Sequence, residues 1–182
     1  MIGTHNSGTG EPSKSWYHKL LIPFARCQRY SIRGQLNHGC KLFDLRVRKD
    51  GNDYILCHGL WKSKKTLDDV LEQIDEQGFI DHCKYKVLIT YEGTLSHLLP
   101  TTFKMIMKSK VEGYHYVSLV QIAVKKPEWY VLYSDDVTNV KQGFMCLDFH
   151  SWHTLLPIPW LWSKFYRKID YSNDVYTLVD FL

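Results

Sequence analysis

The chain has 182 residues, of which 45% are hydrophobic and 14% aromatic, and it carries a formal net charge of +4. This length suits one domain with a sizeable core. The mild positive charge favours an anionic partner such as a phospholipid surface, but it is too small to indicate nucleic-acid binding, and the sequence contains no nucleic-acid-binding motif.

The cysteines indicate a reducing compartment. They are Cys27, Cys40, Cys57, Cys83 and Cys146. Their number is odd, and they are scattered without CxxC spacing, which argues against a zinc site or a disulfide framework. No apolar stretch reaches membrane-spanning length, and the first residues do not form a signal peptide. We therefore expect a cytoplasmic protein that is peripheral at membranes, with secretion as the alternative if a signal was removed before this numbering begins.

One clear helix and two short strands are predicted within the first 80 residues. Residues 3–15 are rich in Gly, Ser, Thr and Pro, which predicts a loop. Strands are predicted at residues 40–47 and 54–57, with turn residues at 49–52 between them. A helix is predicted over residues 66–80 from the apolar spacing of Leu67, Val70, Leu71 and Ile74, with a capping box of Thr66 and Asp69 and an end at Gly78.

The later elements follow in alternation. Residues 86–91 are the next predicted strand and residues 100–109 a helix. Further strands are predicted at 116–122, 129–133, 143–149 and 175–181, with a short helix at 160–168. Alternating strands and helices as far as Ile89 predict an α/β fold with parallel strands, and such a barrel places its reactive residues at the carboxyl ends of strands.

Four polar residues occupy predicted strand ends: His5, Arg46, His58 and Glu92. A neutral imidazole can accept a proton, an imidazolium can donate one, and an arginine fork can hold a phosphate. These residue types are the minimum needed to cleave a phosphodiester without a metal. We therefore predict that they share a pocket.

Several short motifs occur in order along the same region. They are Gly3 to Ser7 (GTHNS), Gln28, Ser31-Ile32, Gln35-Leu36, Gly39, Phe43 to Arg46 (FDLR), His58-Gly59, Thr66 to Leu71 (TLDDVL) and the strand Val87 to Tyr91. In this combination the chain resembles the X domain of phosphatidylinositol-specific phospholipase C. The resemblance is specific over residues 2–92, weak over 93–170, and returns at residues 178–181.

The resemblance implies that residues 1–182 form a single catalytic domain with a distorted TIM-type (β/α) barrel. Because family catalytic domains are usually longer, the barrel can be incomplete. The implied reaction cleaves phosphatidylinositol, at a membrane surface, to diacylglycerol and a cyclic inositol phosphate. His5 would be the general base on the inositol 2-hydroxyl, His58 the general acid for the departing diacylglycerol oxygen, and Arg46 the stabiliser of charge on the phosphate.

The resemblance also implies supporting carboxylates. Asp44, two residues before Arg46 on the same strand, would fix Arg46 or reach the inositol 2-hydroxyl. Asp180 resembles the late aspartate that orients the first histidine, since a carboxylate behind an imidazole sets its tautomer.

Asn6 and Glu92 are expected to bind substrate. Both match calcium ligands of the calcium-dependent eukaryotic enzymes, whereas Arg46 stands where those enzymes carry an acidic ligand. A guanidinium there would repel Ca²⁺ and perform its electrostatic role. We therefore expect no metal cofactor, with Ca²⁺ disfavoured by Arg46 and with Glu92 pairing with Arg46.

Two other functions fit the sequence. A shortened, inactive relative could bind phosphoinositide without cleaving it, which the missing length and Asn6 suggest. A glycerophosphodiester substrate is the weaker alternative, because that neighbouring family usually needs a metal and a carboxylate-rich site. Aromatic and basic residues mix between Trp152 and Arg167, a composition that fits either a core helix or an interfacial loop.

Overall fold

The computed structural model describes residues 2–93 and 100–124 together with the backbone of residues 143–146 and 175–179. Eight strands are present in this part of the chain: β1 (Ile2–Thr4), β2 (Leu42–Asp50), β3 (Asp53–His58), β4 (Trp61–Thr66), β5 (Tyr85–Tyr91), β6 (Val117–Ala123), β7 (Gly143–Cys146) and β8 (Val175–Val179). The helices are α1 (Trp16–Leu20), α2 (Ile22–Ala25), α3 (Ile32–Asn37), α4 (Leu67–Asp81) and α5 (Pro100–Glu112), with a 3₁₀ turn at Ser7–Gly10.

Six of the strands form one parallel sheet. Their order is β6-β5-β2-β1-β8-β7, and every neighbouring pair runs in the same direction. Helix α4 precedes β5 and helix α5 precedes β6, as expected for crossover connections between parallel strands. The predicted α/β class with a barrel-type parallel sheet is confirmed.

Strand β2 is the centre of this sheet. On one edge it pairs with β5 over six residues, from Leu42 to Val47. The other edge is shared, because β1 pairs with residues 42 and 43, whereas β3 pairs with residues 47–50. Asp44, Leu45 and Arg46 lie between these two pairings.

The strands β3 and β4 depart from the predicted alternation. Both run antiparallel, β3 to β2 and β4 to β3, so the chain doubles back twice before α4. The prediction of parallel strands is therefore wrong for this hairpin. The sequence concealed β4, since its residues include Lys62, Lys64 and Lys65, which lack an alternating apolar pattern. Lysines of this kind are typical of an edge strand.

The core lies between the parallel strands and the long helices. Phe43, Leu45 and Val47 of β2 are fully buried in it. They pack with apolar residues of α4 and α5, namely Leu67, Val70, Leu71, Ile74, Phe103, Met107 and Val111. Successive strand residues face opposite sides, so the alternate positions 44 and 46 lie on the other face of β2.

Helix α4 begins as predicted and ends later. Thr66 and Asp69 form the capping box, with Asp69 N–H donating to Thr66 Oγ1 at 3.1 Å and Thr66 N–H donating to Asp69 Oδ2 at 2.7 Å. The helix passes Gly78 and ends at Asp81, where His82 adopts the left-handed conformation (φ 49°). A Cβ on Gly78 would lie 2.4 Å from Cβ of Tyr116, so this glycine permits close packing rather than termination.

The segment predicted as a loop, residues 3–15, contains the last two residues of β1 and the 3₁₀ turn. Glu11, just after this turn, has a buried side chain whose Oε1 accepts the backbone N–H of Ile32 at 2.8 Å. Ser31 adds a second capping bond, its Oγ accepting from Gly34 N–H at 3.3 Å. Glu11 therefore joins the start of the chain to the first turn of α3.

Burial raises the pKa of the Glu11 carboxyl, despite its bond to Ile32 and the charge of Lys65. A carboxyl whose folded pKa exceeds its unfolded value stabilises the fold while protonated, and this contribution is lost as the pH rises above about 4.5 through the folded pKa. Glu11→Gln keeps the acceptor oxygen without the charge. In thermal scans, we expect the melting temperature of the variant minus that of the unaltered protein to increase as the pH is raised from 4 to about 7.

Glu72→Gln is the control, because Glu72 lies exposed on α4. The difference in melting temperature for this variant should stay flat over the same range. If the difference in melting temperature for Glu11→Gln is also independent of pH, the claim that burial of the charged Glu11 carboxylate destabilises the fold is contradicted.

Several predicted features fall outside the described residues. They are the strand at 129–133, the helix at 160–168, Asp180, and the ends of the strands predicted at 143–149 and 175–181.

Candidate active site

Strand β1 delivers His5 to the carboxyl edge of the parallel sheet. Thr4 is in register with Phe43 of β2, so the next residue leaves the sheet beside Asp44. Asn6 then adopts the left-handed conformation (φ 46°, ψ 48°) and begins the 3₁₀ turn. Asparagine tolerates this conformation better than most residues. The Asn6 N–H donates to Oδ2 of Asp44 at 3.2 Å, which ties the turn to β2.

His5, Arg46 and Asp44 form one buried cluster. Their exposed fractions are 4%, 4% and 3%. Arg46 Nη2 lies 3.0 Å from Nε2 of His5, and Asp44 Oδ2 lies 3.8 Å from the same nitrogen and 3.7 Å from Arg46 Nε. The structure thus places an imidazole, a guanidinium and a carboxylate together, on the face of β2 opposite the core.

Asn6 belongs to the same cluster. Its Nδ2 lies 3.0 Å from Nε2 of His5 and donates to Sγ of Cys27 at 3.3 Å. Its Oδ1 is buried and accepts no hydrogen bond within the described part of the chain. A buried acceptor of this kind is costly unless a ligand engages it.

A polar layer behind His5 holds its backbone in place. Gln28 Nε2 donates to the carbonyl oxygen of His5 at 2.8 Å, and Gln35 Nε2 donates to that of Ser7 at 2.8 Å. Thr9 Oγ1 accepts the backbone N–H groups of Cys27 and Gln28. We assigned no role to these residues from the sequence, although the glutamines belong to the motifs. Both glutamines are fully buried, and only their placement in the fold shows that they hold this backbone.

The antiparallel hairpin returns His58 to the same region. Val47 of β2 pairs with Leu56, two residues before His58 at the end of β3. Gly59 follows with φ 60°, and its N–H donates to Glu92 Oε1 at 3.1 Å. The other oxygen of Glu92 lies 3.9 Å from His58 Nδ1. His58 is partly exposed, with 21% of its side chain accessible, as a group that meets a substrate would be.

Glu92 differs from its expected pairing with Arg46. Its carboxylate lies against His58 and Gly59, whereas the carboxylate beside Arg46 is that of Asp44. The reason is register: the Glu92 N–H donates to the carbonyl oxygen of Val47 at 2.8 Å, so Glu92 continues β5 beyond Arg46 toward the returning β3.

Cys57 lies beside this glutamate without competing as a nucleophile. Burial, followed by the charge of Glu92, raises the pKa of the Cys57 thiol to about 12. Since the thiolate is the reactive form, the group is inert at neutral pH. The described cysteines Cys27, Cys40, Cys57 and Cys83 are all free thiols.

The described carboxylates near His5 and His58 each lie against a cation or an N–H group of the protein. Ca²⁺ takes six to eight oxygen ligands. Over residues 2–93 and 100–124, no three His, Cys, Asp or Glu side chains are grouped so as to hold a metal. The oxygens of Asp44 lie beside the Arg46 cation, and those of Glu92 face Gly59 and His58.

Asp180 directly follows β8 in the sequence, and its own position lies outside the described residues. Val179, the residue before it, is in register with Thr4, the residue before His5.

In the described part of the chain, no helix is both long and apolar enough to cross a membrane.

Comparison with known families matches residues 12–127 to the phosphatidylinositol-specific phospholipase C X domain. His5 precedes the matched range. A search of curated proteins found no significant match.

Solved structures of Staphylococcus aureus phosphatidylinositol-specific phospholipase C are similar in fold. A point mutant is 14% identical with a TM-score of 0.60, and the alignment covers 97% of this chain and 69% of that one. A structure described as a study of membrane-binding modulation is 13% identical with a TM-score of 0.57, covering 99% and 72%. At this identity the likeness carries the fold alone.

Proposed function

Because this chain belongs to the phosphatidylinositol-specific phospholipase C X-domain family, and is a phospholipase C-like enzyme, we propose that it cleaves phosphatidylinositol to diacylglycerol and inositol 1,2-cyclic phosphate. The observation that carries this proposal is the buried cluster of His5, Arg46 and Asp44 at the carboxyl edge of the parallel strands. It supplies an imidazole and a guanidinium within hydrogen-bond distance of each other, as attack on a phosphodiester requires.

His5 is the general base in this reaction. Its Nε2 takes the proton of the inositol 2-hydroxyl while the oxygen attacks the phosphorus, forming the new P–O bond of the cyclic phosphate. Asp180 is the residue we propose to orient His5. The register of Thr4 with Val179 supports this role, since the residues that directly precede His5 and Asp180 lie side by side on β1 and β8.

His58 is the general acid. It gives its proton to the diacylglycerol oxygen as the old P–O bond breaks, so diacylglycerol leaves as a neutral alcohol and the cyclic phosphate keeps the single negative charge. Glu92, 3.9 Å from Nδ1 of His58, favours the protonated imidazole and holds it in place through the Gly59 turn. A carboxylate in this position supports an acid role for this histidine.

Arg46 stabilises the charge that develops on the phosphate, and Asp44 holds its guanidinium from one side at 3.7 Å. An arginine fork suits two phosphate oxygens at once. Asn6 contributes to substrate binding through Oδ1, the buried acceptor described above, which suits an inositol hydroxyl. The cation at position 46 leads us to propose that no metal takes part.

The lipid substrate requires a surface that meets the bilayer, and the short helices α1 and α2 offer one. Four large apolar side chains on them are exposed: Trp16 (73%), Tyr17 (52%), Leu20 (66%) and Phe24 (54%). We call these the α1–α2 surface. Exposed Lys14 and Lys19 lie within the same segment. Aromatic and basic residues in combination suit an anionic lipid interface.

The α1–α2 surface is joined to the hairpin that bears His58. The Lys14 N–H donates to the carbonyl oxygen of Lys62 at 2.9 Å, and Ser13 bridges to Ser63 of β4. Leu60, 74% exposed, lies in the turn between His58 and β4. Peripheral binding through this side would bring a bilayer to the candidate acid. The segment Trp152–Arg167, considered earlier for this role, lies outside the described residues.

Replacing Trp16 and Phe24 with serine should weaken binding to vesicles of phosphatidylcholine with phosphatidylserine. Each large side chain contributes about 1.5–3 kcal/mol when buried, so the loss is roughly a hundredfold or more for the pair. Sedimentation with sucrose-loaded vesicles measures it. Activity on water-soluble glycerophosphoinositol should persist.

Phe79→Ser is the matched control, because Phe79 is a similarly exposed aromatic (63%) on α4. Equal weakening by this control, or unchanged binding by the Trp16 and Phe24 variant, would rule out the α1–α2 surface.

Phosphorus NMR of the products from phosphatidylinositol, with and without EDTA, tests the proposed function. We expect the signal of the cyclic phosphate to appear at the same rate with and without EDTA. Activity that is lost in EDTA and restored by Ca²⁺ would contradict the metal-free site. Vesicle binding without any product would instead select the inactive phosphoinositide-binding relative.

We further propose that residues 1–182 act as one catalytic domain in a reducing compartment. The sheet supports the first point, since it joins β1 at the start of the chain to β8 near its end. The free, unbridged cysteines support the second.

A further inference from the structure

Two nitrogen atoms approach the same ring nitrogen of His5. Arg46 Nη2 and Asn6 Nδ2 each lie 3.0 Å from Nε2. A guanidinium has N–H donors and no acceptor. Nε2 must therefore accept the hydrogen bond from Arg46, which requires an unprotonated Nε2 and places the ring proton on Nδ1.

This logic also fixes the orientation of the Asn6 amide. If its oxygen faced His5, it would meet an imidazole lone pair that is already an acceptor, which is repulsive. With the nitrogen toward His5, the amide donates both to Nε2 and to Cys27 Sγ. The Asn6 side chain therefore supports the same tautomer as Arg46.

The consequence for catalysis is that the lone pair needed by a general base is already engaged. A substrate hydroxyl cannot donate to Nε2 while both N–H groups occupy it. A phosphodiester oxygen is a stronger, charged acceptor for a guanidinium than a neutral imidazole is.

We propose that Arg46 and Asn6 hold Nε2 of His5 as an occupied acceptor in the free enzyme, and that the substrate phosphodiester makes room for the inositol hydroxyl at this nitrogen by drawing away the Arg46 guanidinium, while Asn6 keeps the ring in the same tautomer. Asn6 is then a positioning residue acting through His5, in addition to any contact of its oxygen with substrate. This inference rests on the proposed role of His5 as base. It adds that the base becomes available only when a phosphate is present.

Nitrogen-15 NMR of the protein labelled at histidine tests the resting state without any turnover. The His5 signals are assigned by their loss in His5→Gln. We expect the free protein at pH 7.5 to show an unprotonated Nε2 and a protonated Nδ1. Adding diethyl phosphate, a soluble phosphodiester, should shift the Nε2 resonance in the direction expected when one of the two donors is lost. A protonated Nε2 in the free protein, or an Nε2 signal that ignores diethyl phosphate, would overturn the proposal.

Two variants separate the donors. Arg46→Met should move the Nε2 signal without phosphate and abolish the response to it. Asn6→Asp keeps the shape and the left-handed backbone but replaces the amide donor by a carboxylate, so the Nε2 signal should shift in the free protein while the response to diethyl phosphate, which acts through Arg46, persists. Arg48→Met is the control, because Arg48 donates to the backbone oxygens of Glu92 and Gly59 instead. An effect of Arg48→Met equal to that of Arg46→Met would also contradict the proposal.

The wild-type titration keeps the test decisive if a buried variant fails to fold. The outcome is also separable from that of the proposed function. An active His5→Ala enzyme would remove the base role even if the predicted tautomer were found. A protonated Nε2 beside an inactive His5→Ala enzyme would remove only the phosphate-dependent release.

Discussion

Replacing His5 or His58 with alanine should lower turnover of phosphatidylinositol by about 10²–10⁴-fold each, because each removes one partner of general acid–base catalysis. The two losses should differ in kind. In a substrate with a nitrophenolate leaving group, that group departs without being protonated. This substrate should therefore restore much of the rate to His58→Ala and little to His5→Ala. Steady-state rates with both substrates measure this difference.

Circular dichroism and thermal melting serve as the folding control for these variants. His58 is partly exposed, so its removal should leave the melting temperature nearly unchanged. His5 is buried against Arg46, and a moderate loss of stability is expected there. Rescue of His5→Ala by the activated substrate, with no rescue of His58→Ala, would reverse the two assignments. Full activity in either variant would remove the mechanism.

Arg46→Met should lower kcat/KM by about 10²–10³-fold, the usual effect of removing one donor that stabilises transition-state charge. Arg46→Lys should recover only part of the loss, since an ammonium keeps the charge but lacks the planar fork. Arg33→Met is the matched control, because Arg33 is exposed and pairs with Glu76 at the surface. Its kinetics should equal those of the unaltered enzyme.

The Arg46 series also examines the metal-free site. Neither EDTA nor added Ca²⁺ should change the rate of any member of the series. Equal activity of Arg46→Met and the unaltered enzyme would show that the phosphate is stabilised elsewhere. If Arg46→Met loses activity and Arg46→Lys retains all of it, positive charge alone is required at this position.

The parts of the fold that the sequence predicted are those fixed by local patterns. Thr66, Asp69 and the apolar spacing after them specify α4 because caps and periodicity act within a few residues. The prediction of parallel strands was wrong for the hairpin because it took no account of the turn at residues 49–52, which is too short for the crossover that a parallel pair needs. Gly78 misled because its neighbour Tyr116 is distant in sequence.

The candidate site shows the same division. The motifs singled out His5, Arg46 and His58, and the structure brings His5 and Arg46 into direct contact. The side chain that each carboxylate accompanies depends on the register between β2, β3 and β5, so the expected pairing of Glu92 with Arg46 was wrong and Glu92 lies beside His58. The support by Gln28 and Gln35 depends on long-range bonds to the backbone that no local pattern reveals.

The pairing of β2 on both edges has a consequence for how this chain can vary in evolution. Asp44 and Arg46 face the site while Phe43, Leu45 and Val47 face the core. A single-residue insertion or deletion between Leu42 and Arg46 would exchange the two faces, burying charges among apolar side chains. Length changes in the exposed turn at Gly51 and Asn52 carry no such penalty. Homologues should therefore differ freely in that turn and hardly ever in the length of the preceding strand.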